Sequence, residues 1–208
     1  MAQDQDQLAA LQEIRSLMER SARFTSLSGL SGIAVGLVAL AGVALVYWKL
    51  NSLHLTYTDL YTGTFSQEMS TFLMLVAVGV LLLAAGAAIG FSQFKARKDK
   101  QSIWHHQALA MVNNLCIPMA AGGVFCLVLL YHHNLYLVAP SMLVFYGLAL
   151  INSSKYTFTD IRYLGLGELV LGLLVCFQVE YGLVAWGLGF GGLHILYGAL
   201  IYYKYERK

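Results

Sequence analysis

The stretch that decides the fold is Arg162–Lys208, RYLGLGELVLGLLVCFQVEYGLVAWGLGFGGLHILYGALIYYKYERK. Two long apolar runs flank a short polar interruption, Glu180-Tyr181-Gly182. This reads as two membrane-spanning helices joined by a tight turn. Each run carries one ionisable residue. Gly165-x-x-Glu168-x-x-x-Gly172 brackets a glutamate, and Gly191-x-x-His194-x-x-x-Gly198 brackets a histidine. Residues three and four apart share a helix face. Each polar group therefore sits in a groove where another backbone can approach closely. Ionisable groups within spans are costly, and they mark function by default.

Outward from this hairpin, composition points the same way. Of 208 residues, 58% are hydrophobic and 12% charged. Soluble domains carry about 25% charged residues, so a soluble globular chain and a disordered one are both excluded. Apolar runs predict six spans, at about 26–48, 68–91, 104–131, 135–152, 161–179 and 183–203. The fold class is all-α: a single transmembrane domain over 26–208, built as three antiparallel hairpins. Residues 1–25 precede it as a cytoplasmic amphipathic helix, with Leu8, Leu11, Ile14, Leu17 and Met18 at helical steps. The polar N-terminus and the absence of a cleavage site argue against a signal peptide.

Charge sets the orientation. In the six-span reading, twelve of the thirteen Lys and Arg residues fall on one side, and Lys49 alone falls on the other. Both termini are therefore expected in the cytoplasm. The basic run Lys95–Lys100 reads as a stop signal facing anionic lipid, not as a nucleic-acid site. The partners implied are the lipid bilayer and, through glycine-rich faces, a second copy or another membrane protein.

The first span repeats the glycine spacing as Gly29-x-x-Gly32-x-x-x-Gly36. With Gly165, Gly172, Gly191 and Gly198, these are the expected helix-packing positions. In the third span Pro118 removes an intrahelical donor from the carbonyl of Asn114 and is expected to kink the helix. Asn113 and Asn114, at a depth like that of Glu168 and His194, complete a candidate polar pocket. The bland alternative is that Glu168 and His194 only satisfy each other and fix helix register. The external loop Lys49–Gln67 reads as a solvated connector, a lid over the bundle mouth being the sharper alternative.

No nucleophile or metal motif is present, and the three cysteines lack paired spacing. Histidines at 105, 106, 132 and 133 form no matched transmembrane pair for haem. The reading leans away from an enzyme and needs no cofactor. The functional expectation is a membrane protein handling protons or a small solute around Glu168 and His194. The alternative is a non-transporting accessory or sensor protein that assembles through its glycine faces and N-terminal helix.

The six-span, glycine-rich layout over Ser26–Lys208 resembles small bacterial membrane proteins of the HdeD-like acid-resistance type. The segments Phe190-Gly191-Gly192-Leu193-His194 and Tyr202-Tyr203-Lys204-Tyr205-Glu206-Arg207 resemble those of further bacterial membrane proteins. The resemblance implies a six-helix bundle in the bacterial inner membrane and assigns no site residue.

Overall fold

The computed structural model describes residues 28–60, 66–98 and 106–207. The amphipathic helix expected over residues 1–25 lies outside them. The described chain is all-helical, with no strand. Six helices follow one another: α1 (Gly29–Ser52), α2 (Gln67–Lys98), α3 (His106–Tyr131), α4 (Val138–Ser153), α5 (Asp160–Phe177) and α6 (Val179–Glu206). Five are long and apolar enough to cross a membrane, α4 when taken with its flanking 3-10 turns as Leu135–Tyr156. The exception, α5, carries Asp160, Arg162 and Glu168 within its 18 residues.

Several boundaries differ from the sequence reading. Helix α1 runs on to Ser52 and α2 to Lys98. The basic run at the end of α2 stays helical, and Lys95 reaches back to Glu206 at 3.1 Å. Helix α6 is not uniform. It opens with a 3-10 turn at Val179–Tyr181 and carries π-helical segments at Gly187–Leu193 and Tyr202–Glu206.

The first two expected hairpins are in contact, α1 on α2 and α3 on α4, but α5 and α6 each pack more on another helix than on each other. Helix α5 packs most extensively on α4, and α6 on α1. Glycines explain both pairings. In lipid the tails are as apolar as the side chains, so close backbone approach and van der Waals contact drive helix association. A Cβ placed on Gly32 would stand 2.9 Å from the Gly198 Cα, and one on Gly36 would stand 2.7 Å from the Gly191 carbonyl. Gly29 lies against the Tyr202 backbone. On the other side of the bundle, a Cβ on Gly147 would stand 2.7 Å from the Gly165 carbonyl, and one on Gly172 would stand 2.9 Å from the Val144 nitrogen. The glycines flanking His194 therefore seat α1, and those flanking Glu168 seat α4.

Pro118 lies within α3, which continues as helix to Tyr131. The carbonyl it leaves without an intrahelical donor is that of Asn114. Asn152 of α4 donates to it through Nδ2 at 3.0 Å, and to Asn114 Oδ1 at 3.1 Å. The freed carbonyl thus stitches α3 to α4.

Polar latches close one end of the bundle. Glu206 accepts from the Gly29 N–H at 2.6 Å and from the Ser28 hydroxyl at 3.3 Å. A carboxylate there suits the partial positive charge at the start of α1. Lys204 and Tyr205 reach Asp160 at 3.1 and 2.9 Å. The last turn of α6 thereby joins α1, α2 and α5.

At the opposite end, the 3-10 turn Tyr57–Leu60 lies against the turns Leu135–Leu137 and Val179–Tyr181. The Tyr57 hydroxyl donates to the Tyr136 carbonyl at 3.5 Å. The backbone N–H of Thr56 and its hydroxyl both donate to Asp59, which holds that carboxyl below its usual range. The described part of the loop after α1 is therefore a built turn seated on the ends of neighbouring helices. His54 and His133 take left-handed backbone, φ 54° and 60°, just past the ends of α1 and α3. There they serve as helix C-terminal caps.

Candidate functional site

Helices α5 and α6 are held in register by the Asp160–Lys204 contact at one end and by a short turn at the other. From that contact, Glu168 lies eight residues along α5 and His194 ten along α6. At about 1.5 Å per residue the two levels differ by roughly 3 Å. The structure places His194 Nδ1 3.3 Å from Glu168 Oε1. Glu168 is 0% exposed and His194 5%.

The site sits between two apolar clusters along the bundle. Leu150, Phe158, Ile161, Leu164 and Ile201 pack on the side of the polar latches. Leu143, Val175 and Ala185 pack on the far side. Glycine makes the junction of α4, α5 and α6 tight enough to enclose the carboxyl. A Cβ on Gly189 would collide with Glu168 Oε2 and stand 2.5 Å from Leu143 Cδ2. Gly189 belongs to the π-helical segment Gly187–Leu193. Such bulges recur at functional sites because they redirect side chains and backbone groups. Here the Gly189 carbonyl meets His194 Nδ1 at 3.2 Å.

A third polar residue completes the site. The Tyr146 hydroxyl of α4 lies 2.9 Å from His194 Nε2. The two rings stack at 5.4 Å, and Phe190 packs on Tyr146 at 5.0 Å. The partners determine the ring's protonation pattern. A backbone carbonyl only accepts, so Nδ1 donates to Gly189. A neutral ring then has a bare Nε2, which accepts from the Tyr146 hydroxyl.

Glu168 contrasts with this well-satisfied ring. Among the described residues neither of its carboxyl oxygens has a hydrogen-bond partner, although both are fully buried. The contact with Nδ1 is a close approach rather than an aligned hydrogen bond. One N–H therefore faces two acceptors: the Gly189 carbonyl, which it now serves, and the Glu168 carboxyl beside it.

The asparagines expected in this pocket are elsewhere. Asn113 is exposed on the outer face of α3. Asn114 bonds Asn152 and the Ala110 carbonyl. The proline that suggested an open carbonyl at Asn114 is offset by Asn152, which leaves nothing for a solute. Sequence reasoning missed Tyr146, which stands among apolar residues with no spacing to single it out. It also missed the π-helical bulge, whose signal was the density of glycine in Gly187-Leu188-Gly189-Phe190-Gly191-Gly192. Among the described residues, no three His, Cys, Asp or Glu side chains gather as a metal would require.

Comparison with protein-family models, with curated proteins and with solved structures finds no match to this chain.

Proposed function

We propose that this chain is a six-span protein of the bacterial inner membrane that binds and exchanges protons at the Glu168–His194 pair. The observation that carries this reading is the enclosed Glu168 carboxyl, without a hydrogen-bond partner among the described residues and 3.3 Å from an imidazole nitrogen. Burying an unsatisfied ionisable group costs several kcal/mol. An apolar residue of similar size would relieve that cost, so bundle stability alone does not account for the glutamate. Proton exchange does, because a proton neutralises the carboxyl in place and needs no volume. The close contacts around Gly189 favour a proton over a larger solute.

Helix α5 belongs to the span count despite its charges. Its 18 residues reach about 27 Å, close to the hydrocarbon thickness of about 30 Å. Asp160 and Arg162 lie at its end, and α4 and α6 cover Glu168. With six spans the termini share the cytoplasmic side. Reporter fusions after Lys49, Lys100, His133, Lys155 and Glu180 are expected to read outside, inside, outside, inside, outside. Two consecutive fusions on one side would overturn the topology.

Reconstitution tests the proton reading. Liposomes holding the native protein are expected to dissipate an imposed pH gradient faster than empty liposomes, and those holding Glu168→Gln are not. Native flux equal to that of empty liposomes would count against proton handling across the membrane. It would favour the second reading, a non-transporting accessory protein. That reading rests on α2, where a Cβ added at Gly79, Gly86 or Gly90 would meet no atom of another helix within 4 Å among the described residues. The glycines of α1, α5 and α6 expected to face partners are instead occupied within the bundle.

A further inference from the structure

We infer that the π-helical segment Gly187–Leu193 is a register switch set by the proton on Glu168. This rests on the proton-binding reading of the buried pair and adds its mechanical output. The hydrogen bond between His194 Nδ1 and the Gly189 carbonyl reaches back five residues, at 3.2 Å. In an ordinary α-helix a side chain reaches back to carbonyls three or four residues earlier. The extra residue held in the π segment brings the fifth carbonyl into that place. The side-chain bond and the π register therefore support each other. The same Nδ1 lies 3.3 Å from Glu168 Oε1, the competing acceptor. Helix register and proton site meet at Gly189, where an added Cβ would collide with Glu168 Oε2.

The two protonation states favour two registers. A neutral carboxyl competes weakly for the Nδ1 proton, and the bond to Gly189 stands, as in the structure. A carboxylate accepts a charge-assisted bond, roughly twice as strong as a neutral one. When the carboxyl gives up its proton, the Nδ1–H turns to Oε1 and the ring stays neutral. The Gly189 carbonyl loses that donor, and the segment relaxes to α-helical pairing. Four of its seven residues are glycine, so few side chains oppose the turn. One residue of register is about 100° of rotation and about 1.5 Å of rise. The half of α6 after the segment is held in place. Glu206 caps α1, Lys204 pairs with Asp160, and Gly198 lies on the α1 backbone. The half before it, Gly182–Trp186, is the part that turns, and Gly182 lies against the Tyr57 side chain. Among the described residues, the further titratable side chain at hydrogen-bond distance from the pair is Tyr146 of α4. Helix α1 meets His194 at backbone, where a Cβ on Gly32 would stand 3.2 Å from the His194 carbonyl. Asp160 and Lys204 pair at the helix ends.

Solid-state NMR of the protein in lipid tests the switch. Carbonyl-13C glycine combined with nitrogen-15 phenylalanine selects the Gly-Phe pairs, and the chain has two, Gly90-Phe91 and Gly189-Phe190. Gly90, on α2, is the internal reference. The pH range is set by the infrared carboxyl band that Glu168→Gln abolishes. As pH rises and that band is lost, the Gly189 carbonyl signal is expected to shift while the Gly90 signal stays. In Glu168→Gln the Gly189 signal is expected to stay as well. Trp186 reports the register, because its ring packs on Phe190 at 5.0 Å across the segment. With Trp48→Phe and Trp104→Phe in place, its fluorescence spectrum is expected to shift over the same pH range. A Gly189 signal that stays while the band titrates, or that still moves in Glu168→Gln, would overturn the switch. So would a moving Gly189 signal with unchanged Trp186 fluorescence, because the bond would then break without a change of register. A native protein with no Glu168-dependent band would instead remove the underlying proton reading.

Discussion

Gly198→Ala is expected to destabilise the bundle by about 1–3 kcal/mol, and Gly198→Val by more, as overpacking does in a close-packed interior. The added Cβ would stand 2.6 Å from the Ile33 nitrogen and 2.7 Å from the Gly29 carbonyl. These are backbone atoms of α1, which cannot turn aside as a flexible side chain could. The helices must separate, and the Glu206 contact with the first N–H of α1 separates with them. Gly192 supplies the control, six residues earlier on the same helix. Among the described residues no atom beyond its own helix lies within 4 Å of its added Cβ. Gly192→Ala is therefore expected to be neutral or to stabilise by about 0.5–1 kcal/mol, the helix preference for alanine over glycine. Unfolding titrations in mixed detergent would compare them. Equal tolerance at the two positions would contradict the α1–α6 packing.

The second large effect concerns the buried pair, and it has opposite signs at its two members. Neutral His194 is satisfied by Gly189 and Tyr146 without help from Glu168. Glu168→Leu leaves those bonds intact and removes an unsatisfied carboxyl. It is expected to stabilise the fold by about 1–3 kcal/mol, the cost of leaving a buried polar group unsatisfied, while abolishing proton exchange. His194→Leu removes the acceptor of Tyr146 and the imidazole that lies 3.3 Å from Glu168. It is expected to cost about 3–5 kcal/mol, the usual penalty for stranding one member of a buried pair. Adding Glu168→Leu should recover part of that loss, and a double-mutant cycle measures the recovery. Independent, additive effects would mean that the two residues do not share a site.

Much of this arrangement was legible in the sequence. The long apolar runs specify helices suited to a bilayer, because only self-satisfied backbones are tolerated in lipid. The glycine spacing drew attention to Glu168 and His194, whose polar atoms lie 3.3 Å apart. What spacing did not convey is which helix each glycine face meets. A small-residue groove accepts any neighbouring backbone. The grooves beside the pair receive α1 and α4, while the pair itself closes the gap between α5 and α6. The asparagines were misplaced for a related reason. Depth along a helix can be estimated from residue counts, but rotation about its axis follows from packing. That rotation turns Asn113 outward and sets Asn114 against Asn152. Glu206 read only as part of a charged tail, yet it caps the start of α1 from 177 residues away.

The central claim is that the enclosed carboxyl of Glu168 exchanges a proton with its histidine neighbour. An equilibrium infrared titration of the protein in lipid tests it most directly, with native, Glu168→Gln and His194→Gln proteins compared over the same pH series. The account predicts a carboxyl band that changes with pH in the native protein, is absent in Glu168→Gln and no longer follows the same pH profile in His194→Gln. Native carboxyl bands that persist unchanged in Glu168→Gln, or a pH profile untouched by His194→Gln, would contradict it.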